Sequence, residues 1–214
     1  MIRSECLKLK NSSGLYLVFL FTLLEVLTIP IYLAFGRSSV SMTDLSLMTL
    51  LFFPLLAAIL SILTFEQESL ANHFQEIKAN KKTSRIWLSK LVVVDLLLFF
   101  PSAMIWLITG ISQGKGGEGL LIASASWLMA IFLNHFHLLL TFVLNRGGNI
   151  IVAIVEILLI VFASNKVLLG AYWCPVALPV NFVVTGGFNY LMAVVIWIVL
   201  CTLIIVSLPK NAIR

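Results

Sequence analysis

The stretch LYLVFLFTLLEVLTIPIYLAF, residues 15–35, decides how the chain is read. Its one charged residue is Glu25, and about 20 apolar residues suffice to cross the hydrocarbon core as a helix. A basic head, MIRSECLKLK with Arg3, Lys8 and Lys10, precedes it, as in a signal peptide. The run is longer than a signal core of about 7–15 residues, and no small-x-small cleavage site closes it. Further apolar runs follow, so it reads as a transmembrane helix that stays in the protein.

Five more windows meet or approach the same length: 45–65, 88–109, 120–143, 149–165 and 189–208. The window 149–165 is short and contains Glu156. Beyond it, Asn165 and Lys166 lead into VLLGAYWCPVALPVNFVV, where Pro175 and Pro179 oppose an unbroken helix. Residues 167–188 are therefore expected to form an outer loop or a re-entrant segment. Of 214 residues, 61% are apolar and 11% charged, against about 45–50% and about 25% in soluble domains. Mean hydropathy is +1.09. A soluble body of this size has too little interior for so much apolar side chain. No alternating barrel pattern appears, so the expected fold is all-α: a polytopic membrane protein with six transmembrane helices in a single transmembrane domain, 1–214.

The formal net charge of +5 would suit an anionic partner, but position explains it better. With the N-terminus inside, the cytoplasmic side receives Arg3, Lys8, Lys10, Lys78, Lys81, Lys82, Arg85, Lys90, Arg146, Lys210 and Arg214. The outer side keeps Arg37, Lys115 and Lys166. Such asymmetry places both termini in the cytoplasm of a multi-pass protein. The loop GISQGKGGEG, residues 110–119, reads as a flexible outer turn. Cys6, Cys174 and Cys201 have no metal or redox spacing and read as small apolar fillers.

The sizeable cytoplasmic element is FEQESLANHFQEIKANKKTSRIWLSK, residues 65–90. Leu70, Phe74 and Ile77 fall on one face of a short helix, with Glu68, Asn72, Gln75 and Lys78 largely elsewhere. One reading is an interfacial helix, with Lys81, Lys82 and Arg85 attracting anionic membrane lipid. The other is a docking element for a cytoplasmic partner, and the two are compatible. Glu66 and Glu68 stand where the second helix leaves the membrane, either as plain interfacial carboxylates or as a hinge or salt-bridge point. Residues 1–12 form an amphipathic start that lies along the inner surface.

Glu25, Asp95 and Glu156 fall within apolar spans, where ionisable groups normally face the bundle interior or a wet cavity. No intramembrane Lys or Arg is available to pair with them. Glu25 is the candidate for a functional charge on a translocation path, against the plainer reading of an interhelical hydrogen bond. Asp95 is expected to reach toward the inner face, and Lys90, five residues away, is poorly placed to pair with it. Asn134, His135 and His137 cluster in the inner half of the fourth span, but histidines at i and i+2 diverge around a helix. A packing or polar-contact role is expected for them, and no metal site. The chain has no phosphate-cradling GxxxxGK[ST] loop and no GxSxG elbow. Work across the membrane would draw on an ion gradient or another subunit.

Three features, SECLKLKNS (4–12, with Glu5, Lys8 and Lys10), FEQESLANHFQEIKANKKTSRIWLSKL (65–91) and six helices in 214 residues, carry a resemblance. The chain resembles membrane subunits of ABC-2 type transporters, and more narrowly the small permease subunits of lantibiotic self-immunity transporters of the nisin and mutacin type. The family usually has a glycine or small residue after the acidic pair, where this chain has Leu70. The resemblance implies a non-catalytic subunit without cofactor in a bacterial cell membrane. It implies two copies of a separate ATP-binding cassette subunit, and a second similar permease subunit or a second copy of this one. It also implies a cationic amphipathic peptide, a lantibiotic, expelled from the producer's membrane. Glu66 and Glu68 would open the 66–84 coupling segment, and Leu70 to Lys78, including Phe74 and Ile77, would touch the ATPase. The alternatives are an exporter of another peptide, drug or lipid, a membrane-embedded enzyme using His135, His137 or a carboxylate, and a structural or sensory membrane protein.

Overall fold

Lipid offers no partner to a backbone N–H or C=O, so each apolar run satisfies its own backbone as a helix. A computed structural model describes residues 2–10, 12–35, 41–72 and 83–207. These form α1 (Ile2–Leu9), α2 (Ser13–Phe35), α3 (Met42–Leu50), α4 (Phe53–Asn72) and α5 (Thr83–Phe99). A π-helical turn (Phe100–Met104) leads to α6 (Ile105–Ser112), α7 (Gly116–Val143), α8 (Arg146–Ser164), α9 (Ala177–Thr185) and α10 (Phe188–Ser207). Among the described residues, six stretches are long and apolar enough to cross a membrane: Ser13–Leu33, Met42–Leu70, Ser84–Ser112, Gly116–Val143, Arg146–Ser164 and Phe188–Ser207. The six expected windows are all present.

Two spans are interrupted, and proline accounts for both. The second breaks after α3, because a Pro54 ring in a continuous helix would strike the Leu50 carbonyl. Pro101 likewise cannot close the ladder of the third span, which widens into the π turn. Ser102 Oγ there donates to Leu98 O (2.6 Å), giving that carbonyl a side-chain partner.

Three apolar clusters stack along the bundle. Ile86, Trp87, Leu91, Leu138 and Ile205 close the end at which α4 finishes and α5 and α8 begin. Its described charged residues include Arg3, Lys8, Arg85, Lys90 and Arg146, which make it the basic end of the bundle. A large middle cluster holds Phe53, Leu98, Met129, Phe132, Leu133 and Ile160. The far end is filled by Ile29, Met42, Trp106, Ile122, Phe182 and Leu191. The long helix α7 contributes to all three.

Two connecting segments are more ordered than expected. Within 167–188, turns run to Val176 and α9 then packs against α7, α8 and α10 with Ala177–Val183 buried. Pro179 lies in the first turn of α9, where a missing N–H costs nothing, and Gly186 ends the helix at φ 72°. The stretch 110–119 is no flexible loop: helix persists to Ser112 and resumes at Gly116. A Cβ on Gly110 would lie 2.7 Å from Gly119 Cα, and one on Gly119 would lie 2.8 Å from Trp106 O. Glycine is needed at both positions for the α6 and α7 backbones to approach this closely.

Gly119→Ala is expected to destabilise the folded protein by about 1–3 kcal/mol, because backbone atoms must move to admit the methyl group. Gly116→Ala, with open space around the new atom, is the matched control. Unfolding in mixed micelles, followed by tryptophan fluorescence, measures both.

Candidate functional site

The 66–84 segment is entered from α4 and left through α5, and these flanks are tied together at the basic end. Lys90 Nζ lies 2.6 Å from Glu5 Oε2 and 2.5 Å from Glu68 Oε1. Lys8 Nζ adds contacts to Glu68 Oε1 at 3.2 Å and Glu5 Oε1 at 3.4 Å. Gln67 Nε2 donates to Lys8 O at 3.0 Å. Two carboxylates and two ammonium groups thus form one cluster joining α1, α4 and α5. The Lys90 side chain is only 3% exposed, so each charge depends on the others for the solvation it has lost.

Glu66 and Glu68, two residues apart, point to different partners. Glu68 enters the cluster, whereas Glu66 Oε1 meets Arg146 Nε at 2.6 Å at the start of α8. That second pair is wet, with the Arg146 side chain 75% exposed, and contributes little to stability. Leu70 follows on α4 and is 84% exposed. Phe74, Ile77 and Lys78 lie outside the described residues, as does most of the expected docking helix. Glu25 stands apart from this group, midway along α2, buried and with no hydrogen-bond partner for either carboxyl oxygen. The interhelical hydrogen bond expected for it is not formed.

The other intramembrane acids have partners that a search for lysine and arginine misses. Asp95 of α5 bonds across to α7. Its Oδ1 accepts from Asn134 Nδ2 (2.8 Å), and its Oδ2 faces His135 Nε2 (3.0 Å). His135 Nδ1 lies 2.7 Å from Thr202 Oγ1 on α10, which itself donates to Ile198 O. Glu156 of α8 faces His137 Nε2 at 2.8 Å, and His137 Nδ1 meets Asn149 Oδ1 at 2.6 Å. The divergence expected of His135 and His137 is therefore present, each ring meeting its own carboxyl. Three acids, two histidines and an asparagine in apolar runs were the available signal, had histidine been counted as a partner. Among the described residues no group of three metal-ligating side chains converges. Cys174 and Cys201 are buried as expected, whereas Cys6 is exposed and fills no core position.

A cleft of about 230 Å³ opens at the basic end between α4, the end of α7 and the start of α8. Phe65, Glu66, Thr141, Arg146 and Asn149 line it. Comparison with protein-family descriptions, with curated proteins and with solved structures finds no match to this chain.

Lys90→Met leaves Glu5 and Glu68 buried beside a neutral side chain and is expected to cost about 3–5 kcal/mol of stability. Adding Glu5→Gln and Glu68→Gln to the same chain is expected to restore most of that loss. Denaturant unfolding of the single and triple variants in one detergent tests it; equal destabilisation in both would mean that the cluster acts through packing rather than charge.

Proposed function

We propose that the chain is the permease subunit of an ABC transporter that expels a lantibiotic, a cationic amphipathic peptide, from the producer's own membrane. Its basic end faces the cytoplasm of a bacterial cell. Two copies of an ATP-binding cassette subunit bind there, beside a second similar permease subunit or a second copy of this chain. The observation that carries the reading is Lys90 held between Glu5 and Glu68. It makes the exit of the second span and the entry of the third one mechanical unit with α1. A push on the 66–84 segment then reaches both spans instead of being absorbed in a loose loop. Glu25, buried and unpartnered in the first span, offers a carboxyl group to a cationic substrate once the helices part. The alternative of a membrane-embedded enzyme is less well supported, because both ring nitrogens of His135 and of His137 are already engaged.

Co-expression with the ATP-binding cassette and sister permease genes beside it tests the proposal. Cells carrying all components are expected to survive higher lantibiotic concentrations than cells lacking this chain. Equal survival, with ATP-dependent export of another compound, would favour an exporter of a different peptide, drug or lipid. Phe74→Asp combined with Ile77→Asp is expected to abolish co-purification of the ATPase; retained co-purification removes the docking role from 70–78. Glu25→Gln is expected to lower protection while the complex still assembles, and unchanged protection takes Glu25 off the path.

A further inference from the structure

His137 and Glu156 are both buried, on facing spans, yet only one short step separates them from the cleft at the basic end. The hydrogen-bond inventory of this pair is restrictive. Asn149 Nδ2 donates to His137 O at 3.4 Å, which turns Asn149 Oδ1 toward the ring. An amide oxygen only accepts, so the 2.6 Å contact requires a hydrogen on His137 Nδ1. The other nitrogen, Nε2, faces Glu156 Oε2 at 2.8 Å. A bare nitrogen against a bare carboxylate oxygen would set lone pair against lone pair away from water. A proton therefore lies between them, as imidazolium with carboxylate or as imidazole with carboxylic acid.

We infer that His137, Glu156 and Asn149 form a proton-binding site loaded from the basic end of the bundle. The proton balance closes within these three residues and the water of the cleft. From the imidazolium form, Nδ1–H passes its proton to water, Nε2–H stays on the Glu156 carboxylate, and the pair becomes singly negative. Asn149 then turns its amide over, giving up its 3.4 Å bond to His137 O so that Nδ2 donates to the bare Nδ1. Asparagine serves both states because it carries donor and acceptor on one rotatable group. Asn149 is also the member of the site that lines the cleft.

The surrounding charges suit exchange from this side. Glu66 of α4 and Arg146 of α8 line the same cleft. The Asp95–His135 pair occupies the diverging side of α7, and none of its residues lines the cleft. It has the same arrangement, with Thr202 in place of Asn149, and so provides a control within the molecule. The inference concerns the chain alone and does not rest on the transporter reading.

The test uses the full-length protein, labelled with ¹⁵N-histidine, in phospholipid nanodiscs. His73→Gln removes the remaining histidine, and spectra are collected between about pH 5 and pH 9, the range in which imidazole changes charge. The Nδ1 of the His137 ring is expected to lose its hydrogen reversibly as pH rises, leaving the ring protonated at Nε2 alone, while His135 holds one pattern. Glu156→Gln, nearly isosteric, removes the carboxylate that shares the proton and is expected to alter the pH dependence of that change. Asn149→Leu, which can neither accept nor donate, is expected to displace the midpoint while the rest of the spectrum stays native. A His137 pattern constant over the whole range, or midpoints identical in wild type and Glu156→Gln, would overturn the inference and leave the pair a fixed strap between spans.

Discussion

An ammonium group taken into the edge of a lipid bilayer has to bring its counter-charges with it, and Lys90 brings them from two other elements. Glu5 comes from α1 and Glu68 from the end of α4, so one nitrogen fixes three pieces of chain that lie far apart in sequence. Apolar contact alone would not set that geometry, because leucine packs against lipid about as readily as against another helix. The cluster fixes which ends meet, and the apolar layer of Ile86, Trp87, Leu91, Leu138 and Ile205 completes the same end of the bundle.

The same constraint operates along α7, the most enclosed span. In its most apolar window 61% of residues are buried, against 22% for the first and sixth spans and 28% for the fifth. A helix surrounded by others can afford polar side chains only where neighbours satisfy them. Asn134 and His135 hold Asp95 on α5 and Thr202 on α10, whereas His137 holds Glu156 and Asn149 on α8. Residues two apart on one helix thus fasten it to opposite sides. Glu66 and Glu68 repeat the device on α4, one turned to α8 and the other to α1 and α5.

Helix count, span positions and the all-helical class were legible because lipid imposes a length and a composition that a sequence displays directly. Polar pairing was less legible, since it depends on how the helices are rotated about one another. Nothing in the spacing of Asp95 and His135 says that α5 and α7 present them to each other. The stretch 110–119 misled for a different reason. Its glycines resemble those of a loop, but Gly110 and Gly119 are small so that two helix backbones can touch. Within 167–188, the two prolines argued correctly against a span, yet Pro179 sits in a helical first turn where proline is tolerated.

The least enclosed spans also bear on how the bundle can move. The first span, α2, buries few residues and packs chiefly against α4 and the π turn. Both neighbours belong to spans that proline has interrupted, at Leu51–Phe52 and at Phe100–Met104. Where the hydrogen-bond ladder is already broken, bending demands fewer lost bonds than in a continuous helix. Glu25, on the same α2, is the intramembrane acid that no hydrogen bond holds to another span. Asp95 and Glu156 sit in fastened helices, whereas Glu25 rides on a helix beside two built-in bends. A carboxyl group so placed can exchange a dry environment for a charged or wet one at less structural cost than either of the others.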